Sequence, residues 1–217
     1  MSWKGVSGKG VSVAPPKIAV LDYGIGNLRS AEKALQHVGA DATLTSDLRQ
    51  IAAADALVLP GVGSFGRCMQ ALRGTGLDRV CLSAAAEGRH FLGICVGMQM
   101  LYEGSDESPG AGGLGLLAGR VTRLSDGVKK PQMQWNQLDV RDAESPLLAG
   151  LGERPWMYFV HSFAPPDTHE VVATCEYGGR VVAAVVQGPL WATQFHPEKS
   201  GRVGLQLLTN FAAIVAG

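Results

Sequence analysis

The most constraining stretch of the chain is His90-Phe91-Leu92-Gly93-Ile94-Cys95-Val96-Gly97-Met98-Gln99. Phe91 to Ile94 is a short apolar run of the kind that ends a buried strand. Met98 to Leu101 reads as the start of a helix. Cys95 lies between, with one glycine two residues before it and another two after. The turn must be sharp, and glycine removes the Cβ atoms that would collide there. A reactive side chain at such a strand-to-helix turn is the pattern of a nucleophile elbow. The new helix points its free N–H groups and the positive end of its dipole at the thiol, which favours thiolate. The plainer alternative is a buried structural cysteine.

The chain before this stretch alternates strands and helices. Ile18–Leu21 and Ala56–Leu59 are short and wholly apolar, and Asp41–Thr45 is a partly polar strand. Leu28–Val38 is an amphipathic helix closed by Gly39, and Phe65–Arg73 and Leu77–Glu87 are also helical. Short apolar strands separated by helices predict a parallel sheet covered on both faces. Beyond Arg120 the pattern changes. Val121–Leu124, Gln137–Val140, Met157–Phe163, Val171–Tyr177, Val181–Gln187 and Leu190–Phe195 are alternating or β-branched, with no long helix between them. They predict antiparallel additions to the sheet. Residues 200–214 form a closing amphipathic helix. Residues 1–16 have no usable periodicity and read as a disordered arm or a remnant of cloning. Residues 17–217 then make one domain.

Composition excludes several functions. Lys+Arg and Asp+Glu are 19 each, so the formal net charge is zero and electrostatic capture of nucleic acid or an anionic membrane is not expected. No apolar run approaches the ~18 residues of a membrane span. With no signal-peptide core at the start, a cytoplasmic protein is expected. Cys68, Cys81, Cys95 and Cys175 form no C-x-x-C pair, and no His/Cys/Asp/Glu set has metal-ligand spacing. No metal and no cofactor are predicted. Asp22-Tyr23-Gly24-Ile25-Gly26-Asn27 lacks the third glycine of a nucleotide fingerprint and reads as a tight loop.

An elbow cysteine needs a base, an orienting acid and an oxyanion site. The last strand runs into Gln194-Phe195-His196-Pro197-Glu198-Lys199-Ser200. A two-residue step can put His196 and Glu198 on one side, and Pro197 stiffens the link. Cys95, His196 and Glu198 thus supply the residue types of a cysteine triad, in which the imidazole moves the proton and the acid fixes its tautomer. All three are predicted at strand C-terminal ends, where open α/β sheets place their sites. In Pro60-Gly61-Val62-Gly63-Ser64-Phe65 the glycines free the backbone to turn amides toward a developing oxyanion. Asp106 and Glu107, on the Glu103–Gly115 loop, are candidates to hold a substrate ammonium group. His161 is a rival base and receives no catalytic role.

Gly93-Ile-Cys95-Val-Gly97-Met-Gln99 with His196-Pro197-Glu198 resembles the class I (triad) glutamine amidotransferases. Asp22–Asn27, Pro60–Phe65, Phe159–Phe163 and Gln194–Ser200 together resemble the glutaminase subunits of imidazole glycerol phosphate synthases. The resemblance spans residues 17 to 215. It departs at Gln134, before Trp135, where the family usually has glycine. It implies a flavodoxin-like fold and hydrolysis of glutamine through a γ-glutamyl thioester on Cys95. It also implies an oxyanion hole from the amides of Val62 and Val96, the first able to rotate between Gly61 and Gly63. A substrate-binding set of Gly61, Gly63, Gln99, Glu107 and Ser162 follows as well. The implied partner is a cyclase built as an eight-stranded α/β barrel, which receives the ammonia in a heterodimer. It would contact Asn27, Trp135, Asn136, Tyr158 and Lys199. A subunit of another amidotransferase, a stand-alone cysteine hydrolase and a non-catalytic module remain as alternatives.

Overall fold

The computed structural model describes residues 14–26 and 28–217. Residues 1–13 of the expected arm, and Asn27, lie outside the described residues. In chain order the strands are β1 (Lys17–Leu21), β2 (Asp41–Thr45), β3 (Ala56–Gly61), β4 (His90–Cys95), β5 (Tyr102–Ser105), β6 (Leu117–Arg123), β7 (Gln132–Gln137), β8 (Asp139–Val140), β9 (Trp156–His161), β10 (Phe163–Ala164), β11 (Val171–Glu176), β12 (Arg180–Gln187) and β13 (Leu190–Thr193). The α-helices are α1 (Leu28–His37), α2 (Leu48–Ala52), α3 (Phe65–Gly74), α4 (Leu77–Ala86), α5 (Val96–Met100) and α6 (Gly201–Ala216).

Eight strands among the described residues form the main sheet, in the order β2-β1-β3-β4-β13-β12-β11-β8. The pairs from β2 to β13 are parallel and those from β13 to β8 are antiparallel. The chain moves one way from β1 to β2 and the other way from β1 to β3, so right-handed crossovers put the helices on both faces. Helix α1 packs with α6, and α3 packs with α4 and α5. Covered on both sides, β3 has no exposed residue, and its sequence is correspondingly apolar throughout. The predicted α/β class, with a parallel half and antiparallel additions, is the observed one.

Local boundaries differ where tertiary pairing decides. The Glu103–Gly115 segment, read as loop, begins inside β5, because Tyr102–Ser105 pairs with β6. Helix α5 is therefore only five residues long. The Gln137–Val140 strand divides at the buried Leu138: Gln137 closes β7, which pairs with β9, whereas Asp139–Val140 pairs with β11. The final strand stops at Thr193, so Gln194, Phe195 and His196 lie beyond it. Among the described residues no helix is long and apolar enough to cross a membrane.

Candidate active site

Three adjacent strands deliver the site. Gly61 at the end of β3 is level with Cys95 at the end of β4, and Ile94 is level with Thr193 at the end of β13. The Pro60–Phe65 loop, the elbow and the His-Pro-Glu turn therefore leave one sheet edge side by side. Cys95 has φ 56° and ψ −113°, the one positive φ of a non-glycine residue among those described. Such a conformation costs about 1–3 kcal/mol and persists only where its surroundings hold it. They do so through glycine. A Cβ on Gly97 would lie 1.8 Å from the Leu59 carbonyl oxygen, and one on Gly61 would lie 2.6 Å from the Gly97 nitrogen. The elbow is thus pressed onto the end of β3.

Cys95 and His196 line a common cavity of about 430 Å³, together with Val62, Gly63, Val96, Gln99, Glu107, Ser162 and Lys199. His196 is buried, and its Nδ1 meets Glu198 Oε1 at 2.7 Å. Its Nε2 is buried without a hydrogen-bond partner, so it is available to a group entering the cavity. Burial pulls the imidazole down, but the Cys95 sulfur and the Glu198 carboxylate together push it up, to about 9. At neutral pH the ring therefore holds a proton. The other three cysteines are inert by environment. Burial raises Cys68, and it pushes Cys81 and Cys175 up to about 12.

The remaining expected residues divide. Gln99 is buried and donates both amide hydrogens, to the Phe163 carbonyl at 3.0 Å and to Gln194 Oε1 at 3.0 Å. Glu107 accepts from the Phe65 amide at 2.7 Å, so it caps α3 with one oxygen while facing the cavity. The Ser162 carbonyl is taken by the Leu124 amide, which leaves its N–H and hydroxyl for a ligand. Val62 and Val96 both line the cavity. Gly61 does not; it is glycine because of its contact with the elbow. Asp106 is likewise removed from the substrate set, since Arg120 binds it at 2.9 Å on the surface, outside the cavity.

His161 also lines the cavity, but both of its ring nitrogens are engaged. It is buried between the Phe163 carbonyl at 2.8 Å and the Gln132 side chain at 3.0 Å, and burial lowers it to about 4. On the β7–β9 ribbon, Met133, Trp135 and Gln137 stand opposite Val160, Tyr158 and Trp156. This makes an outer face with Met133 62%, Trp135 46% and Trp156 52% exposed. Trp135 and Tyr158 meet edge to face. Asn136 lies on the other face of the ribbon, where it donates to the Glu176 carbonyl, so it does not join this surface. Gln134 continues β7 without a break, in register with Phe159.

Sequence reasoning assigned no role to Ser200 or Gln194. Ser200 donates to the His196 carbonyl at 2.6 Å and accepts from the Tyr158 amide at 3.0 Å, tying the His-Pro-Glu turn to β9. As the first residue of the predicted closing helix, Ser200 carried no signal of this role. Gln194 had none, being one more residue in a strand-like run.

A cysteine at a strained elbow, a buried His–Glu pair beside it and a shared cavity define a cysteine-dependent hydrolase or transferase of the class I amidotransferase type. The family model for class-I glutamine amidotransferases matches residues 19–215. Among curated relatives, imidazole glycerol phosphate synthase subunit HisH of Methanothermobacter thermautotrophicus is 50% identical over 199 residues, covering 91% of this chain and 98% of the relative. HisH of Symbiobacterium thermophilum is 47% identical over 203 residues, covering 92% and 94%. The chain belongs to the class-I glutamine amidotransferases and, within them, to the HisH family. Solved structures share the fold at lower identity. PurLQS from Thermotoga maritima superposes with a TM-score of 0.72 at 22% identity, covering 92% of this chain and 99% of that one.

Proposed function

We propose that the chain, as the glutaminase subunit of an imidazole glycerol phosphate synthase, hydrolyses glutamine on Cys95 and passes the ammonia to a cyclase subunit. The observation that carries this reading is the convergence of Cys95 and His196 on one cavity from adjacent strand ends, with Glu198 bound to the far nitrogen of the imidazole. Sγ attacks the side-chain amide carbon, and the negative charge that builds on the amide oxygen is met by the amides of Val62 and Val96. Imidazolium Nε2 protonates the departing nitrogen, so ammonia leaves and a γ-glutamyl thioester remains. His196 then takes a proton from water, which attacks the thioester and releases glutamate and free Cys95. Glu198 holds the ring in one tautomer throughout. Gln99, Glu107 and Ser162 hold the substrate.

The cyclase, on this reading an eight-stranded α/β barrel, docks on the β7–β9 face through Trp135 and Tyr158, with Lys199 at the cavity rim. Met133 and Trp156, on the same exposed face, extend the docking surface. The setting is cytoplasmic, where the four cysteines stay reduced. Mixing this chain with the barrel subunit, its nucleotide substrate and glutamine tests the reading. Cyclisation that runs on glutamine only when this chain is present is the expected result. Cyclisation that still requires added ammonia would overturn it, and strong glutaminase turnover by the chain alone would favour a stand-alone hydrolase.

A further inference from the structure

We propose that Gln194 is a positioning residue that sets the direction of a buried amide relay, fixing which atom Gln99 offers to substrate and which atom faces the Cys95 sulfur. The inference rests on the glutaminase reading above for its substrate.

The relay begins at a group that cannot reverse. The Phe163 backbone carbonyl only accepts, so the Gln99 atom 3.0 Å from it is the amide nitrogen. That nitrogen's second hydrogen points to Gln194 at 3.0 Å, so the atom it meets is Gln194 Oε1. The remaining end of the Gln194 amide is then its nitrogen, which lies 3.8 Å from Cys95 Sγ. Side-chain amides can be turned over when considered singly, but this pair is determined by its anchor. Gln194 itself is fully buried, and its backbone N–H is bound to the Ala183 carbonyl at 2.8 Å, so the amide has no room to swing away.

Two consequences follow. Both hydrogens of Gln99 are engaged, so all it can present to a ligand is its Oε1 acceptor. An acceptor selects a donor, the ammonium or amide NH₂ of the substrate, and disfavours a carboxylate in the same place. On the other side, Gln194 directs an N–H dipole at the sulfur, which favours the charged nucleophile over the neutral thiol. One side chain thereby couples substrate polarity to nucleophile readiness.

The two arms separate by substitution. Q194E keeps an acceptor for Gln99 and removes the donor to sulfur; Q194L removes both at similar volume. Each full-length variant is assayed with the cyclase subunit for glutamine kcat and KM, and by peptide mapping for the rate of Cys95 alkylation by iodoacetamide at pH 7. We expect alkylation to slow at least about fivefold in both variants, as loss of one hydrogen bond to a charged group implies. The glutamine KM should rise about tenfold in Q194L and stay within about twofold of the parent in Q194E. Wild-type alkylation in both variants, with equal KM in the two, would overturn the proposal and leave Gln194 a packing residue. If the parent chain hydrolyses no glutamine, the functional reading fails, while the alkylation rates still judge the donor arm.

Discussion

His196 and Glu198 meet at 2.7 Å across a single intervening proline. Pro197 begins a 3₁₀ turn that folds both side chains to one side, and His196 sits before it in extended backbone at φ −100° and ψ 96°. The pair is thus built within three consecutive residues. What it lacks alone is burial, and α6 supplies that. A Cβ on Gly204 would lie 2.0 Å from the Pro197 carbonyl oxygen, so the helix lies directly on the turn.

Glu198→Gln should lower both the rate and the pH at which activity is lost. The imidazole acts as an acid while protonated, so kcat/KM falls as pH rises through its value of about 9. The carboxylate is one of the groups holding that value up, so its removal moves the alkaline limb downward. The rate at pH 7 should fall on the order of 10²-fold. A pH–rate profile with an unmoved alkaline limb would contradict the assignment.

Gly97→Ala should abolish the folded elbow. The new methyl would meet the Leu59 carbonyl oxygen at 1.8 Å, and that oxygen belongs to a central strand that cannot move aside. Destabilisation of about 3 kcal/mol or more is expected, read as a loss of thermal or urea stability.

Gly63→Val tests a different requirement. Gly63 has φ +97° with nothing within 4 Å of an added Cβ, so the cost is backbone strain of about 1–2 kcal/mol rather than collision. The variant should fold, with a far-UV circular dichroism spectrum like the parent's, while glutaminase activity drops because the Val62 amide can no longer take up its working orientation. Unchanged activity would remove the loop from the oxyanion site.

Ser200→Ala should loosen the base without touching substrate. It removes a donor to the His196 carbonyl and an acceptor from the Tyr158 amide, both inside the fold. A stability loss of about 1–3 kcal/mol should accompany a lower kcat at nearly constant KM. Ser200→Thr, which keeps the hydroxyl, should restore part of both.

Trp135→Ala and Trp156→Ala should weaken cyclase docking and little else. Both side chains are about half exposed on the ribbon face, so their truncation leaves the isolated chain's melting temperature nearly unchanged. Buried aromatic anchors of this kind contribute roughly 2 kcal/mol or more when covered by a partner. Calorimetric titration against the barrel subunit measures the difference, and wild-type affinity in both variants would move the docking surface elsewhere.

The sequence by itself determined the parts whose chemistry is local. The elbow follows from glycines flanking Cys95, the His–Glu pair from a two-residue step across proline, and the parallel half of the sheet from apolar runs separated by helices. Tertiary structure decided what depends on neighbours distant in the chain. Asp106 and Glu107 are adjacent acids of equal promise on paper. Arg120 takes the first to the surface, and the α3 terminus draws the second into the cavity. Trp135 and Asn136 are adjacent too, and the β7–β9 register sends them to opposite faces. Gln194 looked like one more strand residue, yet β13 stops before it and places its amide between Gln99 and Cys95, both far away in sequence. The physical reason is the same in each case. A side chain's local backbone sets its direction, but its role is set by the partner that satisfies its polar atoms once water is gone.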